Sequence, residues 1–348
     1  EMLRPVFCEA KYHMVGGFIM RFGILGCQHA HIVMFIEEML KLGHIFIGIC
    51  EIDIKLAEDL AKKYNVPLLS NWNELFALKP DIVGTSAVNN RKIDVIESCV
   101  KRGMHIMADK PLVTDMKGYE RLLKVLNERN AQVGLMLTER FNPAVYTAWK
   151  MIKENKIGEP ISFNFLKPHK LLEKSRPSWH FSRRENGGLL IDLLIHDFDL
   201  LQWFTQSNIE ECHGYIKKTG YSEYPYFFDS VNIIAKTRNG VVATFEADWR
   251  MPDAYWSWGD GRIFCIGSCG RFEIKTVGDI NMKKEPFVLS VTRDKEINTI
   301  VNEVISTTLT EDFLKRISGK KDVVIKEDDI INATYATLIA DKNVIEIV

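Results

Sequence analysis

The chain lacks any uncharged apolar run approaching the roughly eighteen residues needed to span a bilayer, so no helical membrane span is expected. It also lacks net charge. Lys and Arg number 45 against 46 Asp and Glu, leaving −1 at pH 7. No global field therefore gathers nucleic acid or an acidic membrane surface. Lys62-Lys63, Arg183-Arg184 and Lys320-Lys321 are short basic clusters of the kind that decorate solvated surfaces. The seven cysteines are odd in number, scattered, and contain no Cys-x-x-Cys pair. Buried, reduced thiols are the expectation for them, and a cytoplasmic location suits that state. No internal repeat or low-complexity linker interrupts the sequence.

What is present is alternation. From Arg21 onward, short apolar runs (Arg21–Gly26, His44–Cys50, Asp81–Thr85, Met104–Ala108, Gln132–Leu137) alternate with segments of helical period. Those segments are Ile32–Leu42, Ile54–Tyr64, Ile93–Arg102 and Lys117–Arg129. This repetition predicts a parallel sheet with helices on both faces. Near Thr138 the pattern changes. Pro143–Glu154 and Leu189–Phe204 read as helices among β-rich stretches that run from Pro160 to Lys275, with Asn239-Gly240 placed as a hairpin turn. Helices after Lys275 look too few to cover so large a sheet, which predicts a homodimer or homotetramer packed through it. Residues 1–19 are read as an extension, non-native or disordered, because Val15–Met20 is too short for a signal-peptide core.

Chemistry concentrates in three places. The turn Gly23-Ile-Leu-Gly26-Cys-Gln28-His29-Ala-His31 joins the first strand to the first helix, where a dinucleotide pyrophosphate meets backbone N–H groups. Gln28 stands where a second glycine would allow closest approach. Glu51 ends the next strand, about twenty-five residues beyond Gly26, placed to accept from ribose hydroxyls. Its charge would repel a 2′-phosphate and no arginine follows it, so NAD is expected over NADP. Cys27, His29 and His31 invite a metal, but the later histidines do not recur at regular βα intervals, and no metal is expected.

Asp109-Lys110-Pro111 follows a short strand, at the carboxyl edge where open α/β sheets place ligands, and Pro111 biases Lys110 toward an extended conformation. A cis Lys110-Pro111 bond is compatible with this. Asp192 and His196 lie four apart in an otherwise apolar helix and share one face. A buried carboxylate and imidazole beside a lysine point to proton transfer at a carbinol.

Together with Gly187-Gly188, Asp199 and Ile266-Gly267-Ser-Cys-Gly270, these residues resemble the Gfo/Idh/MocA oxidoreductases (relatives of glucose–fructose oxidoreductase and inositol dehydrogenase) from about Met20 to the end. The resemblance implies an α/β chain. A Rossmann NAD-binding domain would occupy 20–139. An α+β domain with a large, mostly antiparallel open sheet would occupy 140–348 and serve substrate binding and oligomerisation. It implies that Lys110 polarises the reacting hydroxyl, Asp192 orients it and His196 takes its proton. Gly23, Gly26, Gln28, His29, Glu51, Ser86, Asn89, Asp109 and Lys110 would hold the cofactor. Arg140, Arg176, Trp179, His180 and Asp192 would line the substrate cleft. The segment Thr85-Ser-Ala-Val88-Asn-Asn-Arg-Lys92 departs from the family in lacking its proline and histidine near Val88 and Lys92. The implied activity is hydride transfer between NAD and a secondary hydroxyl of a sugar, cyclitol or polyol. An NAD-dependent glycosidase and a non-catalytic sugar or cofactor sensor are the alternatives on this scaffold.

Overall fold

The computed structural model describes residues 18–348, so all but the last two residues of the N-terminal extension lie outside it. Five parallel strands form the first sheet: β1 (Arg21–Cys27), β2 (Ile45–Cys50), β3 (Ile82–Ser86), β4 (His105–Ala108) and β5 (Val133–Leu135), ordered β2-β1-β3-β4-β5. All five residues of β3 are buried, because helices cover both faces of a parallel sheet. The helices of this half are α1 (His31–Lys41), α2 (Ile54–Tyr64), α3 (Trp72–Ala77), α4 (Lys92–Val100) and α5 (Met116–Glu128). Asp53, Asn71 and Asp115 cap α2, α3 and α5 by accepting from backbone N–H groups of the first turn. Ala30, the N-cap of α1, offers no capping side chain. The first two N–H groups of the helix make long bonds within the turn, His31 to His29 Nδ1 and Ile32 to the His29 carbonyl, both at 3.4 Å, at the point between β1 and β3 where the strand order reverses.

The second sheet has nine strands: β6 (Pro160–Pro168), β7 (Ile209–Lys217), β8 (Ser230–Thr237), β9 (Val242–Asp248), β10 (Arg262–Gly267), β11 (Gly270–Lys275), β12 (Phe287–Thr292), β13 (Lys295–Ile300) and β14 (Val344–Ile347). They run in the order β13-β12-β11-β10-β6-β9-β8-β7-β14. Only β6–β9 and β7–β14 pair in parallel, so the sheet is mostly antiparallel. Strands β8 and β9 alternate between buried and exposed side chains, the mark of a sheet covered on one face. Helices α6 (Pro143–Lys153), α9 (Ile195–Thr205) and α11 (Glu327–Asn343) pack on the covered face.

The structure corrects three expectations. Residues 189–204 form two helices, α8 (Leu189–Leu193) and α9, after the short α7 (Arg183–Asn186). Leu194, at φ −79° and ψ −3°, ends the first and starts the second. Beyond Lys275 there is more structure than apolar period suggested: β12, β13, β14, α10 (Leu309–Ile317) and α11. Helix α10 also crosses back to the first half, burying Leu309, Phe313 and Leu314 in the same core as β1 and β4. Gly134 in β5 accommodates this return, since a Cβ there would sit 3.0 Å from the Phe313 ring.

Candidate active site

Strand β4 ends at Ala108 and delivers Asp109 and Lys110 to the carboxyl edge, where the peptide to Pro111 is cis. The Lys110 ammonium lies 2.9 Å from Asp192 Oδ1 and 2.7 Å from the Asp192 carbonyl oxygen, and both residues are buried. Asp192 reaches this point because Gly187 and Gly188, at φ 96° and 88°, turn the chain sharply into α8. Asn89 donates from Nδ2 to the Asn186 carbonyl at 2.8 Å and stands 3.5 Å from Asp192 Oδ1. Behind it, Lys92 donates to Asn89 Oδ1 at 2.9 Å and to the Lys110 carbonyl at 2.8 Å. Four side chains from three segments, the turn into α4, the end of β4 and α8, thus meet in one buried hydrogen-bonded group.

Charge sets their protonation. Burial alone would raise the Asp192 carboxyl, but the Lys110 ammonium beside it holds it well below the usual carboxylate range. Burial pushes the Lys92 ammonium down to about 8, against the pull of Asp109. Burial, with Lys167 and Lys110 nearby, holds His196 well below the ordinary imidazole value, so its ring is neutral at pH 7. Burial pushes His180 down to about 3. Two buried imidazole nitrogens here have no hydrogen-bond partner: His196 Nδ1 and His180 Nε2. Buried polar atoms are rarely left this way unless something binds them.

Above this group stands an aromatic wall. The His180 ring is 5.3 Å from Trp249, and His169 is 5.0 Å from Trp249 and 5.7 Å from Trp258. The Arg176 guanidinium lies 5.5 Å from the Trp249 ring and 5.9 Å from Trp258. On the opposite side, the β1–α1 turn is tightly built. Gly26, at φ 87°, cannot carry a Cβ, which would come 2.6 Å from that of Ala87. Ser86 exchanges bonds with this turn, donating from Oγ to the His29 carbonyl at 3.0 Å while its own carbonyl accepts from Gln28 N–H at 2.9 Å. Glu51 accepts from Cys27 N–H at 2.6 Å and from Gln28 Nε2 at 2.8 Å, and Gln28 Oε1 accepts from Trp179 Nε1 at 3.1 Å.

Residues 20–136 match the family described as "Oxidoreductase family, NAD-binding Rossmann fold", and residues 145–273 match the "GFO/IDH/MocA C-terminal domain". The chain belongs to the Gfo/Idh/MocA oxidoreductase family. Among its curated relatives are inositol 2-dehydrogenase of Rhizobium meliloti, 28% identical over 51% of this chain and 52% of that protein. Myo-inositol 2-dehydrogenase of Thermotoga maritima is 25% identical over 55% of each. The chain thus spans about half the length of the curated relatives it matches. Among solved structures, a chain from Erwinia carotovora atroseptica SCRI1043 superposes with a TM-score of 0.87 at 21% identity, covering 94% of this chain and 100% of that one. UDP-N-acetylglucosamine 3-dehydrogenase from Acidithiobacillus ferrooxidans superposes at 0.75 with 17% identity, covering 94% and 98%. At such identities these structures speak for the fold alone.

Within this family frame, two sequence-predicted residues stand elsewhere. Arg140 does not reach the cleft: it is buried, with both faces of its fork on Asp199 at 2.8 and 2.6 Å and Nη1 on Val324 O and Asp329. Each of its three guanidinium nitrogens already donates to a protein oxygen. Gly23 lies inside β1 rather than in the turn, leaving room for Leu75 of α3, whose Cδ1 would be 2.5 Å from an added Cβ. Lys92, His169, Trp249 and Trp258 were not singled out from the sequence. Only Lys92 carried a signal, as the departure from the family's histidine. His29 and His31 gather on Asp109, with Nδ1 atoms 3.2 and 3.0 Å from its oxygens, a trio whose ligand atoms lie within 4.8 Å of one another. Two imidazoles and the Lys110 N–H, at 2.8 Å, satisfy the buried carboxylate without an ion.

Proposed function

We propose that this protein is an NAD-dependent dehydrogenase acting on a secondary hydroxyl of a sugar, cyclitol or polyol. The observation that carries the reading is the buried Lys110–Asp192 pair at 2.9 Å with two unpartnered neutral imidazoles around it. A carbinol placed there meets an ammonium that stabilises developing negative charge on oxygen and an imidazole free to take its proton. Lys110 polarises the hydroxyl, Asp192 orients it, and His196 accepts the O–H proton while the carbinol C–H leaves as hydride. The nicotinamide, when bound, supplies the hydride acceptor.

The residues present fit that cofactor. The uncapped N-terminus of α1 at the strand-order switch suits a pyrophosphate, with Gly26, Gln28, His29 and Ser86 lining the turn. Glu51 would hold the adenosine ribose and disfavour a 2′-phosphate. Asn89, Asp109 and Lys110 would flank the nicotinamide end, and Trp179 and His180 the substrate. The open face of the second sheet carries Tyr215, Ile234, Val242 and Ile266 exposed, which supports a dimer or tetramer packed through that face. Among the described residues five free thiols are buried and Cys269 is exposed; free thiols support a cytoplasmic setting.

The test is a thermal-shift comparison of NAD and NADP, followed by sugars and polyols with the preferred cofactor, read at the nicotinamide absorbance band. NAD is expected to stabilise more, and one polyol class to yield net NADH. Equal or tighter NADP binding would overturn the cofactor assignment. Glycoside cleavage without net NADH would move the protein to the glycosidase alternative.

A further inference from the structure

The cleft holds a cation with no anion. Arg176 lies half-buried in the loop before the short 3-10 turn Ser178–Phe181. Among the described residues its guanidinium makes one hydrogen bond, from Nε to the Leu171 carbonyl at 2.9 Å, and no carboxylate stands within ion-pair distance. Arg140, by contrast, has two carboxylates on its fork. The Arg176 guanidinium is held against the Trp249 and Trp258 rings, with Nε anchored, so its two terminal nitrogens are positioned as a fork with no protein acceptor among the described residues.

Burying a guanidinium part-way without a counter-charge costs free energy unless a ligand repays it. Charges around the site leave room for one. Lys110 pairs with Asp192 at 2.9 Å, Lys92 donates to Asn89 and to the Lys110 carbonyl with the charges of Asp109 and Asp192 nearby, and Lys167 is matched by Glu139 and Asp197 at 3.3 and 3.1 Å. Arg176 is the surplus. It also belongs to the reacting site. Asp192 is the charge that acts on it, the Trp249 ring contacts both it and, edge to face, His180, and His180 in turn feels Asp192.

We propose, building on the dehydrogenase reading, that the substrate is a carboxylate-bearing sugar, a uronic or aldonic acid, whose carboxylate binds the Arg176 fork. One guanidinium and one carboxylate match in charge and in bidentate geometry. The Trp249–Trp258 wall would face the apolar side of the sugar, and the reacting hydroxyl would point to Lys110 and Asp192. A phosphorylated sugar carries about twice the charge and would call for a second free cation beside Arg176, for which the wall offers only His169, pushed by burial down to about 4 and hence neutral.

The experiment compares matched pairs, glucose with glucuronate and gluconate, galactose with galacturonate, and glucose with glucose 6-phosphate. Each is measured with NAD by turnover and, separately, by calorimetric binding to the full chain. At least one sugar acid is expected to exceed its neutral partner tenfold or more in kcat/KM and in affinity. Arg176→Met should bring that acid-to-neutral ratio to near one, and Arg176→Lys should restore only part of it, since the charge returns without the fork. Neutral sugars or sugar phosphates preferred over every acid would overturn the proposal, as would a ratio unmoved in both variants. Calorimetry separates the two readings: acid-selective binding that depends on Arg176 without NADH formation leaves this proposal standing and removes the dehydrogenase.

Discussion

Two buried cation–carboxylate pairs stand in this molecule and have opposite characters. Arg140 and Asp199 meet fork to fork, the guanidinium 5.0 Å from the Trp203 ring, with Asp329 and the Val324 carbonyl taking the remaining nitrogen. Each guanidinium nitrogen of Arg140 already donates to an oxygen, and both Asp199 oxygens accept from it. Lys110 and Asp192 are equally buried, yet their neighbours include two imidazole nitrogens without partners and a guanidinium without an acid. A complete pair tethers the C-terminal segment to α9. An incomplete neighbourhood is what a ligand completes. The contrast teaches that burial and charge alone do not mark a site; what separates the two pairs is that the second is surrounded by titratable side chains with hydrogen-bonding capacity to spare.

Removing the base should break the comparison most visibly. His196→Ala is expected to lower turnover by roughly two to four orders of magnitude, the usual worth of a positioned base. Lys110→Ala should do likewise, and the double variant should lose little more, because both residues act on one proton. Steady-state kinetics on the three variants checks this, and near-normal turnover of His196→Ala would shift the base to His180 or to water held by Lys110.

The tethering pair should answer differently. Arg140→Met leaves the buried Asp199 carboxylate without its partner and is expected to cost about 3–5 kcal/mol of stability. Urea unfolding measures it. If Arg140→Met instead raised KM with stability intact, the arginine would belong to the cleft after all.

Acid should loosen the incomplete region first. His169 and His180 are pushed by burial to about 4 and about 3, below the unfolded imidazole value near 6.5. The unfolded chain therefore takes up protons that the folded chain refuses. Their contribution is complete above pH 6.5 and is lost as pH falls from there toward 4 and 3, at about 1.4 kcal/mol per pH unit for each group. Denaturation series between pH 7.5 and 4.5 should show this slope, and His169→Asn should flatten it. A slope unchanged in that variant would mean that the carboxylates carry the acid loss.

The smallest effect concerns Gln28, which lies on Glu51 where a ribose diol would bond. Gln28→Gly is expected to tighten NAD binding a few-fold, as the carboxylate is released and the backbone opens to the pyrophosphate. Weaker binding by calorimetry would show instead that the Gln28 amide takes part in holding the cofactor.

Periodicity and turn chemistry made the first half legible. A strand buried on both faces must be apolar throughout and a covering helix must repeat its apolar face, so β1 to β5 and most of their helices show in one dimension. The same logic located Lys110, Asp192 and the β1–α1 turn, because an edge loop and a polar residue in an apolar helix are local signals. Local patterns could not say what each charge meets. Arg140 and Arg176 look alike in sequence, each near an aromatic residue in a loop, and only the packing of α9 and α11 turns one into a tether while leaving the other free. Nor could they show that α10 returns to the first sheet, or that Trp249 and Trp258 wall the cleft, since contacts between distant segments leave no period to read. Sequence determined which elements form and which edge carries the chemistry; the tertiary fold decided which of its buried charges are already satisfied.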